Sequence, residues 1–337
     1  MRDRTRRRPV SFCCPYSHIY QIVVKYILGI AELYKKEGRP VANYKEITCA
    51  SACNKVSGRF PYKWDLNIYR GCEHGCKYCF AMYSHQYLGS EQYFSDIFVK
   101  TNIAERLEKQ LSSPSWKREV VNIGGVTDSY QPIEAQYKLM PEILRLLIKY
   151  KNPCIISTKS DLILRDYDLI SELSSLTYVN IAATITCMDE SIRKKIEPGS
   201  VCSERRFAML REFSKTEAGI GLHAMPLIPY LTDTRKNVDA LFSRAKACGV
   251  NYVIPDVLNL RGRTRLVFFE FLRREYPELC KPFAELYKTG GASKDYKQRL
   301  YAMVNELRTK HGLSSNYRAL MDTRLAQTEN LQLSLFD

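Results

Sequence analysis

The stretch Arg70-Gly71-Cys72-Glu73-His74-Gly75-Cys76-Lys77-Tyr78-Cys79-Phe80 contains three cysteines at the spacing C-x3-C-x2-C. It follows a predicted strand and opens a predicted helix. A loop of this length can place Cys72, Cys76 and Cys79 around one face of an iron–sulfur cube, a 4Fe-4S cluster. Its two glycines permit the tight backbone path that such a loop needs. Because three ligands leave one iron open, that iron can bind a substrate or a cofactor.

Zinc is the alternative metal for this loop. A structural zinc site needs a fourth ligand. His74 lies inside the loop, where it points poorly for closing a tetrahedron, but Cys49 and Cys53 could supply ligands from upstream. The spacing favours the iron–sulfur cluster and leaves zinc open.

Composition excludes several classes of protein. The chain has 337 residues, of which 45% are hydrophobic and 26% charged, enough to fill a sizeable core. Lys and Arg number 51 against 36 Asp and Glu, a net charge of +15 that predicts attraction to polyanions such as nucleic acid. No apolar run reaches the roughly 18 residues of a membrane span. Twelve cysteines in so long a chain favour a reducing compartment and hence a cytoplasmic protein.

Apolar runs alternate with amphipathic stretches on both sides of the cysteine loop. The strand candidates are Leu66–Tyr69, Val120–Gly124, Cys154–Thr158, Val179–Thr186, Gly219–Leu227 and Tyr252–Val257. The helix candidates between them are Cys76–Tyr83, Ile103–Leu111, Lys138–Lys149, Asp166–Leu176, Glu204–Glu212 and Arg235–Ala247. This alternation predicts an α/β fold, a partial (β/α)6 barrel with a helical C-terminal extension.

Four regions are expected along the chain. They are an N-terminal extension at 1–54, the partial barrel at 55–260, a helical region at 261–313 and a flexible, extended polar tail at 314–337. Residues 1–40 have two interpretations: a helical extension with a basic start, or a segment that is not native because translation begins at Val41.

The cysteine loop resembles the radical S-adenosylmethionine (radical SAM) enzymes, whose signature is C-x3-C-x-aromatic-C, with Tyr78 at the aromatic place. The resemblance implies that S-adenosylmethionine binds the open iron through its amino and carboxylate groups. One-electron reduction by an external donor, such as flavodoxin or ferredoxin, then yields a 5′-deoxyadenosyl radical that abstracts a hydrogen atom.

Later segments resemble the spore photoproduct lyase-like branch of these enzymes, over roughly 55–310. The segments are Gly124–Glu134, Ser157–Ser160, Glu197-Pro198 with Arg206, and Pro226–Pro229. They follow predicted strands in order, at the strand ends where barrel enzymes place ligands.

The resemblance implies a set of cofactor-binding residues: Tyr78, Thr127, Asp128, Lys159, Thr184, Thr186, Glu197 and Arg206. Thr127 and Asp128 would lie near the aminoacyl end of the cofactor, and Lys159 would pair with its carboxylate. The threonines after the fourth barrel strand would face the ribose or methionine, and Tyr78 would approach the adenine. The alternative is structural: a turn or cap aspartate, a solvated lysine and threonines chosen for strand propensity.

Two departures from the lyase concern the return of a hydrogen atom to the product. The cysteine that donates it in the lyase is matched here by Gly125, and Phe80 replaces one of two tyrosines beside the third cluster cysteine. Cys187 is a candidate substitute donor, with a buried structural cysteine as the alternative, and Tyr78 is the other candidate catalytic residue.

The chain ends in Gln332-Leu333-Ser334-Leu335-Phe336, which resembles the peptide by which bacterial DNA polymerases and repair proteins bind the replication sliding clamp. Packing of this segment on the enzyme as a terminal strand is the alternative. Basic residues interleaved with tyrosines after Leu260 could neutralise phosphates and stack on unpaired bases, although such residues also form ordinary solvated faces.

Three functions are therefore open. The first is a radical SAM enzyme acting on DNA, as a photoproduct-lyase-like repair enzyme or a base-modifying enzyme tethered to the clamp. The second keeps the chemistry but acts on RNA or a peptide. The third is a non-catalytic iron–sulfur or zinc module that serves as a sensor.

Overall fold

The computed structural model describes residues 42–58 and 60–333. The expectations for residues 1–40 and for Ser334, Leu335 and Phe336 lie outside these residues.

Six parallel strands form the centre of the fold. The described residues form ten strands in all: β1 (Asn43–Ile47), β2 (Cys53–Lys55), β3 (Trp64–Leu66), β4 (Tyr69–Arg70), β5 (Asp96–Lys100), β6 (Val121–Ile123), β7 (Cys154–Thr158), β8 (Val179–Thr184), β9 (Gly219–Leu227) and β10 (Tyr252–Val257). The six parallel strands are β3 and β6 to β10. The larger sheet has the order β10-β9-β8-β7-β6-β3-β2, in which only the edge strand β2 is antiparallel to its neighbour. The predicted partial (β/α)6 barrel is confirmed.

Helices follow the barrel strands and cover their outer face. They are α1 (Ile103–Leu111), α2 (Glu134–Tyr137), α3 (Leu139–Tyr150), α4 (Tyr167–Leu176), α5 (Glu190–Ile196), α6 (Ser203–Phe213), α7 (Arg235–Ala247), α8 (Gly262–Glu275), α9 (Cys280–Leu286), α10 (Lys294–Lys310) and α11 (Arg318–Leu333). Three of them, α8 to α10, form the expected helical region at 261–313.

Alternation of side chains along the strands separates two environments. Leu66 and Ile123 are fully buried in the main core, on the face of the sheet that the helices cover. Their neighbours Asp65 and Asn122 are paired across β3 and β6 and therefore project to the inner face of the barrel. At the amino-terminal end of the strands, Ile155 belongs to a small separate apolar cluster that closes the barrel.

A second sheet, of order β1-β5-β4, is not predicted by the sequence, and the candidate strand Leu66–Tyr69 is divided between β3 of the larger sheet and β4 of this one. Four of the five side chains of β1, Asn43-Tyr44-Lys45-Glu46, are exposed, so the strand lacks the apolar pattern that would identify it. Its parallel pairing with β5 depends on residues that lie 53 positions apart.

The prediction of a helix at Cys76–Tyr83 is wrong. The cysteine loop continues to Cys79, whose backbone is extended, and a 3-10 helix, Phe80–Leu88, begins one residue later. Gly71 and Gly75 both have positive φ, at 87° and 63°, so the chain reverses inside the loop instead of starting a helix.

The prediction of an extended chain after Ser314 is also wrong, because α11 begins at Arg318. The side chain of Asn316 accepts hydrogen bonds from the amides of Arg318 and Ala319 at 3.1 Å each, which caps the helix. Met321 of α11 is buried in the apolar cluster at the amino-terminal end of the barrel. Arg324, one turn later, pairs with Glu217 at 2.7 Å.

Candidate radical SAM site

The loop that carries the three cysteines is held by backbone hydrogen bonds to distant segments. The amide of Cys72 donates to Tyr93 at 3.2 Å, and the amide of Lys77 donates to Ile196, at the end of α5, at 2.9 Å. The carbonyl of His74 accepts from the amide of Gly199 at 2.9 Å. The loop is therefore bound on both sides, by the segment before β5 and by the segment after α5.

The three thiols lie close enough to influence one another's ionisation. Burial raises the pKa of Cys72 well above its ordinary value, and Asp128, Cys76 and Cys79 raise it further. Burial likewise raises the pKa of Cys76 to about 12. Since metal ligands must be thiolates, binding of iron by these buried thiols would release their protons.

A single metal ion fits this loop poorly. Among the described residues, no three His, Cys, Asp or Glu side chains gather around a point where one ion could bind. His74 is 1% exposed, and both of its ring nitrogens are engaged, with Asp128 at 2.9 Å and with the carbonyl of Gly199 at 3.1 Å. The loop therefore fits a cube, whose corners accept one thiolate each, better than a four-ligand zinc site.

Asp128 links the cysteine loop to the end of β7. One carboxylate oxygen accepts from the hydroxyl of Thr158 at 2.8 Å and from the amide of Tyr130 at 2.9 Å. The other accepts from the amide of Lys159 at 2.8 Å and contacts His74. Burial alone would raise the pKa of Asp128, but the charge and hydrogen bond of His74 and the two amides lower it to about 2. The carboxylate is thus fully engaged in positioning the loop.

Glu197 and Arg206 form a second buried support, beneath Tyr78. Their side chains are fully buried and meet at 2.6 Å, and the Tyr78 hydroxyl donates to Glu197. Burial would raise the pKa of Glu197, but the charges of Arg206 and Lys159 lower it to about 2. Arg206 also donates to the carbonyls of Thr184, at 2.7 Å, and Val201.

Lys159 lies at the carboxyl end of β7 with its ammonium 5.7 Å from the centre of the Tyr78 ring. Burial would lower its pKa, but negative charge on Cys76 and Glu197 raises the pKa above its ordinary value. Burial lowers the pKa of His223, on β9, to about 4, and the charge of Lys159 contributes. The structure thus brings a permanent positive charge and a neutral imidazole together above the inner face of the barrel.

The other predicted site residues occupy the rim of the same region. The Thr127 hydroxyl donates to the carbonyl of Gly71 at 2.6 Å, and the Thr186 hydroxyl lies 3.4 Å from Glu197. The thiol of Cys187 is 1% exposed and donates to the carbonyl of Asp189 at 3.4 Å, and burial raises its pKa to about 12. This environment favours the structural interpretation of Cys187.

Three contacts to the cysteine loop have no signal in the local sequence. The buried Tyr93 hydroxyl donates to the carbonyl of Val126 at 2.7 Å, beside the three thiols. Burial raises the pKa of Tyr93 well above its ordinary value, and the charges of the thiols raise it further. Gly199 packs directly against the loop backbone. The hydroxyl of Thr264, on α8, donates to the carbonyl of Cys79 at 3.0 Å across 185 positions of sequence.

A family profile described as the Radical SAM superfamily matches residues 66–241. The chain belongs to the radical SAM superfamily. Its cofactors are accordingly a 4Fe-4S cluster and S-adenosylmethionine, and enzymes of this superfamily require an electron donor.

The relatives found by sequence carry no assigned activity. An uncharacterized protein of Mycobacterium tuberculosis (strain H37Rv) is 35% identical over 301 residues, covering 87% of this chain and 88% of the relative. An uncharacterized protein of Methanocaldococcus jannaschii is 31% identical over 218 residues, covering 64% and 77%.

Among solved structures, a spore photoproduct lyase mutant with bound AdoMet and dinucleoside spore photoproduct matches with a TM-score of 0.61 and 11% identity. The match covers 86% of this chain and 92% of the lyase. At this identity the likeness concerns the fold. No helix within the described ranges is long and apolar enough to cross a bilayer.

Proposed function

We propose that this radical SAM enzyme acts on a nucleobase of DNA, as a photoproduct-lyase-like repair enzyme or a base-modifying enzyme. The observation that carries the proposal is a row of exposed aromatic side chains directly after the third cluster cysteine. Phe80, Tyr83 and Tyr87 of the 3-10 helix are 64%, 49% and 76% exposed. Exposed aromatic rings of this kind can stack on unpaired bases.

Positive charge accompanies these rings. Burial lowers the pKa of His85 in the same helix; the hydrogen bond and charge of Asp96 oppose this shift, and the nearby charges of Arg70 and Arg263 add to it. Together with the net charge of +15, these groups suit a ligand that presents both phosphates and base faces. The lyase with a similar fold was solved with a dinucleoside photoproduct, which supports the same substrate class.

The cofactor residues divide into two groups in this proposal. Tyr78 and Lys159 contact S-adenosylmethionine, with Lys159 as the partner of its carboxylate and Thr127, Thr184 and Thr186 nearby. Asp128, Glu197 and Arg206 position these residues without contacting the cofactor, because hydrogen bonds within the protein engage their side chains. When bound, the cluster and S-adenosylmethionine supply the 5′-deoxyadenosyl radical that abstracts a hydrogen atom from the substrate.

A direct test combines binding and chemistry. Anaerobically reconstituted enzyme is incubated with UV-irradiated DNA and deuterium-labelled S-adenosylmethionine, and label transfer and product are followed by mass spectrometry. In parallel, anisotropy measures binding of a single-stranded oligonucleotide to Tyr83→Ala. We expect affinity to fall about fivefold or more, since stacking on one base contributes ~1–3 kcal/mol.

The matched control is Phe60→Ala, which removes an exposed aromatic ring that stacks on Tyr62. Tyr62 packs against the apolar cluster at the amino-terminal end of the barrel, away from the cysteine loop. Equal losses in both variants, or tighter binding of an RNA or peptide competitor, would count against DNA as the substrate.

We also propose that Gln332, Leu333, Ser334, Leu335 and Phe336 tether the enzyme to the bacterial sliding clamp. In support, the net charge of +15 suits an enzyme that works beside DNA. Tethering would raise the local concentration of enzyme near DNA without a base-reading module. Phe336→Ala should abolish clamp binding and leave cleavage of S-adenosylmethionine unchanged; retained clamp binding would contradict the tether.

A further inference from the structure

The carboxylate of Asp65 occupies the space next to Gly125 on the inner face of the barrel. A Cβ atom added to Gly125 would lie 2.3 and 2.4 Å from the two carboxylate oxygens of Asp65, far inside normal contact. The carboxylate of Asp65, sixty positions upstream, therefore fills the space that a side chain at residue 125 would occupy.

Two amides fix the orientation of this carboxylate. The side-chain amide of Asn122 donates to one oxygen at 2.7 Å, and that of Asn67 donates to the other at 2.7 Å. The oxygen of the Asn67 amide accepts from the backbone of Val126 at 2.9 Å, so the nitrogen must face Asp65. The group is held in place before any ligand binds, which lowers the entropic cost of recognition.

The carboxylate has unused capacity to accept hydrogen bonds. Each oxygen receives one amide hydrogen bond, whereas an ionised carboxylate offers about four lone-pair sites in total. The nearby ammonium of Lys100 donates to the carbonyl of Asn67, at 2.7 Å, and not to Asp65. Asp65 is partly exposed, so a ligand in the barrel can reach it.

Its place in the fold is also that of a ligand group. Gly125 follows β6, at the carboxyl edge of the sheet where Lys159 follows β7, and barrel enzymes bind ligands at this edge. The Asn67 amide contacts Val126, whose carbonyl accepts from the Tyr93 hydroxyl, and the carbonyl of Tyr93 accepts from the amide of Cys72. Asp65 is therefore connected to the cysteine loop through Asn67, Val126 and Tyr93.

We propose that Asp65 is a substrate-binding residue that accepts hydrogen bonds from N–H donors of a nucleobase, either an imide or an exocyclic amino group. This inference takes its class of substrate from the proposed function. It adds that the enzyme recognises the edge of the base that carries the N–H donor. A carboxylate suits such donors because it only accepts, and acidic side chains read the amino group of cytosine in the same way. A base without the donor leaves the remaining acceptor sites of the carboxylate unfilled and is rejected.

The test uses holoenzyme loaded with cluster and S-adenosylmethionine. Anisotropy measures binding of short single-stranded oligonucleotides that differ at one central base: thymine against N3-methylthymine, cytosine against N4,N4-dimethylcytosine and adenine against N6,N6-dimethyladenine. We expect wild-type enzyme to prefer the N–H form of at least one base by about tenfold, the usual range for a hydrogen bond to a charged group.

The variant Asp65→Asn keeps the shape and should reduce this preference to within about twofold, because an amide presents a donor as well as an acceptor. Asp322→Asn, which changes an exposed aspartate on α11, is the matched control and should retain the preference. Iron content and binding of S-adenosylmethionine must equal those of wild type in both variants.

The outcomes separate the two proposals. Binding without any preference in wild type, or a preference unchanged in Asp65→Asn, overturns the role of Asp65 and leaves DNA as substrate. No binding to any oligonucleotide overturns the nucleic-acid function and this inference with it.

Discussion

Replacing Gly199 with alanine should displace the cysteine loop. The added Cβ would lie 2.2 Å from the carbonyl oxygen of Glu73 and 2.7 Å from the Cα of His74, both of which are backbone atoms between two cluster cysteines. Backbone atoms cannot rotate away as a side chain can, so the loop itself must move by about 1 Å to restore contact. Overpacking of this kind costs about 1–3 kcal/mol.

The movement disturbs two contacts that hold the cysteine loop in place. It lengthens the hydrogen bond from the amide of Gly199 to His74, and it shifts the imidazole that contacts Asp128. We expect Gly199→Ala to bind less than half of the iron of wild type after anaerobic reconstitution. The Tm should fall by several degrees, since each kcal/mol corresponds to about 2–4 °C in a domain of this size.

Gly291→Ala is the matched control. Its added Cβ would meet only the end of the Lys297 side chain, at 3.7 Å, so iron content and Tm should remain those of wild type. The reasoning is refuted if Gly199→Ala and Gly291→Ala load iron equally and melt at the same temperature.

Four other predictions test the supports of the site and the packing of α11. Arg206→Met leaves the Glu197 carboxylate buried without its partner. Urea denaturation should therefore show a free energy of unfolding that is lower by about 3–5 kcal/mol, and a loss below about 1 kcal/mol would contradict a buried ion pair. The pKa of Glu197 is about 2 in the folded protein and ordinarily 4.5, so the stability that this carboxylate contributes is present above pH 4.5 and is lost as the pH falls toward 2. Glu197→Gln should remove this part of the pH dependence of stability. An acid unfolding curve that is unchanged in the variant would contradict this role of Glu197. Lys159→Met should weaken binding of S-adenosylmethionine at least about tenfold in calorimetry while Lys159→Arg retains part of it, and equal affinities in both would show that the charge is not used. Met321→Ala removes a buried contact of α11 and should destabilise the protein by about 2 kcal/mol or more, whereas an unchanged Tm would mean that this helix does not close the barrel.

The alternation of buried strands and helices predicted most of the barrel. The bounds of β7, β9, β10, α1 and α7 agree with the sequence prediction at both ends, because each is an apolar run or an amphipathic repeat that local pattern reveals. The prediction fails where backbone conformation or tertiary packing outweighs the local sequence pattern. Positive φ at two glycines keeps the cysteine loop out of a helix, and tertiary packing of Met321 stabilises α11 in a segment that reads as polar.

The sequence alone determined most of the order of strands and helices and predicted Cys72, Cys76 and Cys79 as the cluster ligands, since both are encoded by residues close together in the chain. Only the tertiary structure showed that His74 contacts Asp128, that Gly199 packs against the loop and that Asp65 covers Gly125. These contacts join residues 54 to 126 positions apart, and their chemistry depends on distances of a few ångströms. Local pattern carries no such distances, because they arise only when the strands pair and the barrel forms.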